Sequence, residues 1–140
     1  MTSTLGSIES QMLTDLNVTA ASGLDAAYNG PLDKLPDTYP YAEVVFGGAE
    51  IISTWDANQY ILRRRAVQIE IKAKDSEDVN LALQKLSYLY CKQPYRGQMQ
   101  ALGVTDIKAE VDSTTYEVDD EKMELNGTLL YTVEYYELVS

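Results

Sequence analysis

Apolar residues recur at every fourth position near the start of the chain, where Ile8, Met12 and Leu16 fall on one stripe. That spacing predicts an amphipathic helix over Ser7–Leu16, with Ser7 as a candidate N-cap and a start that could lie as early as Ser3. From Asn17 to Ala27 the pattern weakens. Val18, Ala20 and Leu24 suit a short strand, although Gly23 argues for a break. Asn29-Gly30-Pro31 is a turn, and the prolines that follow push Leu35 and Tyr39 towards extended geometry. A strand is expected over Tyr41–Phe46, on the β-rich run Val44, Val45 and Phe46, ending in a break or bulge at Gly47-Gly48.

Residues 57–73 read as one strand with two characters. Its second half alternates Val67, Ile69, Ile71 and Ala73 with Gln68, Glu70 and Lys72, the pattern of a strand buried on one face. Its first half carries three consecutive arginines and cannot lie over the same core. At about 3.3 Å per residue such a strand would reach on the order of 50 Å, so part of it is expected to project. Asp75 to Asp78 is a helix start, with a cap residue and acids in the first turn. Val79, Leu83, Leu86 and Tyr90 then form an apolar stripe that ends before Pro94. Gly97 to Gly103 reads as a connection. Two strands, Thr105–Val118 and Gly127–Leu138, form a terminal hairpin around Asp119 to Lys122, burying Ile107, Ala109 and Val111 on the first. The order α-(β)-β-β-α-β-β implies an α+β fold. Its mainly antiparallel or mixed sheet is flanked by helices and extended by a projecting β-hairpin arm.

Composition narrows the chemistry. With 140 residues, 45% of them hydrophobic and 24% charged, residues 1–140 are expected to form a single domain, with 46–62 as an extended arm or loop. No apolar run approaches the roughly 20 residues of a membrane span, and the first residues lack a signal pattern, so a soluble chain made in the cytoplasm is expected. Histidine is absent and Cys91 is the sole cysteine, which rules out an intrachain disulfide and a zinc site of the usual N/S type. The formal charge of −11 is opposite to that of a free-standing nucleic-acid binder and unsuited to an anionic membrane surface. Paired acids such as Asp119/Asp120 and Glu134/Glu137 read as solvated faces and turns. No calcium-loop spacing, phosphate-binding glycine motif or nucleophile with its base is present. We expect neither an enzyme nor a bound metal or cofactor.

A few residues stand out against this background. Arg63, Arg64 and Arg65 must divide between the two faces of a strand. They read as a solvated strand edge, as an intersubunit patch pairing with acids of a neighbouring copy, or as a DNA contact; the second reading is favoured because guanidinium forks match carboxylates. Trp55, in the polar excursion after Gly48, is a lid over its own sheet or, by preference, an anchor on a partner. Tyr39, Tyr41 and Tyr60 flank the arm and are candidate interface residues, while Cys91 reads as structural and semi-buried.

The chain resembles the tail terminator and tail-completion (neck) proteins of long-tailed bacteriophages. The resemblance covers nearly the whole length and lies in a succession of parts. These are the N-terminal helix, the approach DKLPDTYPYAEVVF, the hairpin GGAEIISTWDANQYILRRRAVQIEI, the capped helix KDSEDVNLALQKLSYLY and the final β-hairpin. It implies a structural virion protein at the head-proximal end of the tail, assembled as a homo-oligomeric, hexameric ring. Its implied partners are further copies of itself, the major tail tube protein and the head–tail connector, with DNA passing through the lumen without specific binding. Tyr39, Tyr41, Trp55, Tyr60 and Arg63–Arg65 would then lie at subunit or partner contacts. A head–tail adaptor of the same fold stays open, as does an acidic ligand-binding or regulatory domain of ferredoxin-like shape.

Overall fold

Four long strands of alternating direction carry the fold in the computed structural model, which describes residues 4–30, 32, 36, 38–54, 60–119 and 124–138. They are β2 (Tyr41–Thr54), β3 (Tyr60–Ala73), β4 (Val104–Asp119) and β5 (Glu124–Leu138), of 14, 14, 16 and 15 residues. A short β1 (Ala26–Asn29) joins β2 in parallel, so the mixed sheet has the order β1-β2-β3-β5-β4. Helices α1 (Thr4–Leu16), α2 (Thr19–Ser22), α3 (Ser76–Tyr88) and α4 (Tyr95–Ala101) complete the described elements, with a 3-10 turn at Leu89–Cys91. The result is an α+β fold with a five-stranded mixed sheet flanked by helices.

The core follows from alternation. Val67, Ile69, Ile71 and Ala73 of β3 face the same side as Leu129, Tyr131, Val133 and Tyr135 of β5, and all are buried. Ala42 and Val44 extend this face onto β2. Against it pack Ile8, Met12 and Leu16 of α1, and Val79, Ala82, Leu83 and Leu86 of α3. Each fully buried aliphatic side chain contributes about 1.5–3 kcal/mol. Asp75 caps α3 by accepting a 2.9 Å bond from the Asp78 amide. Gly127 lets α3 lie close to the sheet: a Cβ there would fall 2.6 Å from Val79 Cγ1. Two buried polar contacts lock the layers. The Tyr131 hydroxyl donates to the Leu86 carbonyl. Asp15 accepts from Gln11 (2.8 Å) and the Tyr90 hydroxyl (3.1 Å), and its pKa is raised because burial outweighs those bonds.

Several expectations change. The first helix begins at Thr4, which places Ser7 inside it rather than at its cap. Where a strand was expected at Val18–Leu24 the chain forms the short helix α2 (Thr19–Ser22), closed by Gly23 at φ 76°, and the strand follows at Ala26. Gly97 lies within α4, whose first turn is held by the Gln93 side chain accepting from the Gly97 amide at 3.0 Å. Ile107 and Ala109 are only partly buried, while Val104 closes that end of the core. Leu35, Trp55, the side chain of Val111 and most of the Asp119 to Lys122 turn lie outside what is described.

Candidate subunit interface

The two halves of β3 differ as the sequence predicted, but the first half is not a free ribbon. Residues 60–65 pair with β5 along their whole length and with β2 from Ile61 onward. The expected arm is therefore a continuation of the sheet, at least three strands wide. A bulge between Phe46 and Ala49 sets which side chains it presents. Gly47 permits that bulge, since a Cβ there would come within 3.0 Å of the Ala66 carbonyl oxygen. The extra residue reverses the alternation of β2 beyond it. Glu50 is turned to the open face opposite Arg64, and Ile51 to the helix-bearing face opposite Arg63.

All three arginines find acids of their own chain. Arg64 lies between its direct cross-strand neighbours Glu50 and Glu134, at 3.3 and 2.9 Å. The Glu134 hydrogen bond is the main cause of its raised pKa. Arg65 pairs with Glu9 of α1, donates to the Gly47 carbonyl at 2.5 Å and lies 5.5 Å from the Phe46 ring centroid. Arg63 Nε lies 2.6 Å from Glu137 Oε2 without an aligned hydrogen bond. These pairings give the three guanidiniums acidic partners without drawing on a neighbouring copy. They also remove the strand-edge reading, because β3 is central in the sheet.

The tyrosines separate. Tyr60, 47% exposed, meets Tyr136 edge-on at the arginine end, with ring centroids 6.4 Å apart. Tyr39 and Tyr41 lie at the opposite end. Both donate to the same oxygen of the buried carboxylate Glu124, at 2.7 and 3.1 Å. Burial first, and then the Glu124 bond and charge, push the Tyr39 hydroxyl up to about 12 and that of Tyr41 higher still. Tyr41 is 1% exposed and offers no surface to a partner. Lys74 Nζ stands 4.5 Å over the Tyr39 ring. Trp55 lies outside the described residues.

Two surfaces escaped the sequence reading. On β2, Val45, Ile51 and Ile52 are 47%, 55% and 38% exposed. The pair Ile51-Ile52 is the apolar signal inside an otherwise polar excursion. At the opposite edge of the sheet, on its helix-bearing face, two adjoining hollows of about 270 and 370 Å³ lie between β4 and the end of the helix layer. They share Tyr90, Cys91 and Ile107; Met99 and Val104 floor the first, and Tyr88 rims the second. Cys91 is exposed there rather than semi-buried. Nothing in the one-dimensional pattern marks this groove, because Gly97 and Gly103 give the segment of α4, which walls it, the character of a connection.

Among the described residues no group of three or more His, Cys, Asp or Glu side chains could hold a metal ion, and no helix is long and apolar enough to cross a membrane. No protein-family model matches the chain, and no curated protein is significantly similar to it.

Proposed function

We propose that the chain is a structural virion protein of a long-tailed phage: a tail terminator or tail-completion subunit that caps the tail tube as a homo-oligomeric, hexameric ring. The observation that carries this reading is the half of the sheet beyond Phe46. There β2, β3 and β5 reach past the last core residues, Tyr135 and Val104, are joined by ion pairs across the three strands, and expose Ile51 and Ile52 to solvent. A stiff, apolar-tipped sheet is what an assembly subunit presents to a neighbour. Further copies, the major tail tube protein and the head–tail connector are its partners. The charge of −11 on each subunit would let DNA pass through the lumen without adhering.

The direct test adds the purified protein to tail tubes polymerising from their own subunits. A terminator stops growth, so mean tube length falls as the protein is titrated in, and rings appear at tube ends in electron micrographs. Tubes that grow unchanged in a stoichiometric excess of the protein would refute the reading. A connector-side adaptor would instead bind isolated head–tail connectors and leave tube length alone.

A further inference from the structure

The geometry points to a head-to-tail contact in which the outer edge of β2 in one copy adds to the outer edge of β4 in the next, with Ile51 seated in the groove beside Cys91. This rests on the self-assembly half of the reading above and specifies its interface.

Four observations converge on it. First, β1 covers β2 only from Tyr41 to Val44, so among the described residues Val45–Thr54 have no strand on that side; the outer side of β4 is likewise unpaired. Unpaired strand edges are templates for strand addition. Second, the two open edges lie at the same height. Following the registers across the sheet, Val45 is level with Glu110, Ala49 with Ile107, Glu50 with Asp106 and Ile51 with Val104.

Third, direction fits. β2, β3, β5 and β4 alternate, so a repeated copy in the same orientation brings β2 antiparallel to β4 and continues the sheet. Fourth, an exposed apolar side chain on one edge matches an apolar-floored groove on the other. Ile51 faces the helix-bearing side, the side of the groove floored by Met99, Val104 and Ile107. On the other face Glu50, 64% exposed, falls opposite Asp106 and within diagonal reach of Lys108, 73% exposed, which lies 3.9 Å from Asp106 in its own chain and would stand between the two acids. The occupant is therefore a second copy of this chain. Because donor and acceptor surfaces differ, the contact is heterologous and closes into a ring when the rotation between copies permits.

The native Cys91 supplies the test. Ile51→Cys, at an exposed position, is treated with a short bis-maleimide and run under denaturing conditions, beside the same variant carrying Cys91→Ser. We expect a ladder from dimer up to a closed oligomer in the first and its loss in the second. A product that stops at dimer and persists with Cys91→Ser would show a symmetric β2–β2 contact and overturn the inference. Rings seen by mass without any ladder would overturn it while leaving the ring reading intact. Monomers that do not crosslink, even on tube ends, would overturn both. A ladder accompanied by tubes of unaltered length would uphold the contact and refute the tail assignment. Independently, Ile51→Lys with an unchanged circular dichroism spectrum should weaken self-association by roughly tenfold or more, as expected of an apolar anchor.

Discussion

The two halves of β3 solve the same problem by different physics. From Val67 to Ala73 the strand is held by burial under α1 and α3, and every second side chain leaves water. From Tyr60 to Arg65 it is held by arginines clasped to glutamates on β2, β5 and α1. Apolar burial stabilises but consumes the surface it uses. Cross-strand ion pairs contribute less, yet they join β3 to both neighbouring strands and to α1 while leaving the outer edge of β2 and the side chains of Ile51 and Ile52 exposed. The second half of the strand is held by apolar burial, the first by charge.

This contrast can be broken at its strong end first. Ile69→Ala removes a fully buried side chain and should cost about 2–5 kcal/mol in denaturant unfolding. A loss below 1 kcal/mol would mean that the core half is not where stability resides. At the end of the sheet remote from the arginines, Glu124→Ala strands two tyrosine hydroxyls and should cost about 1–3 kcal/mol. The same site has a signature in alkali. Because the folded Tyr39 pKa is raised, its contribution is complete below the ordinary value of about 10 and is lost as pH climbs through about 12. Phenolate absorbance should therefore appear late in the native protein. Glu124→Gln, which removes the charge, should bring it earlier.

Arg65→Ala probes the join between the halves. It frees α1 from the bulge at Gly47, and a loss of about 1–3 kcal/mol is expected because the guanidinium is largely shielded from solvent. Arg64→Ala should move the midpoint of unfolding least, since its ion pairs are exposed and screened by salt. If Arg64 proved as costly as Ile69, the distinction between a buried half and a charged half would fail.

Much of this architecture was legible in local pattern. Ile8, Met12 and Leu16, the cap at Asp75, and the alternations Val67–Ala73 and Leu129–Tyr135 reported their elements directly, because each buries one face against a single layer. Pattern misled where the deciding partner is distant. Tyr41 looks like any strand tyrosine, yet it is buried against Glu124, which is 83 positions away. The arginines were rightly read as split between faces, but their acids come from β2, β5 and α1. The helix α4 was hidden by Gly97, which weakens helix propensity locally.

The sequence alone determined α1, α3 and the four long strands, the apolar side of each, and that histidine and thiol-pair chemistry are closed to this chain, since those properties belong to composition and short-range spacing. Tertiary structure alone decided the strand order, the bulge that turns Ile51 and Glu50 to opposite faces, the acids that clasp the arginines, and the groove beside Cys91. Those features depend on which distant segments meet, and a sheet registers its neighbours only once the chain has closed around a core.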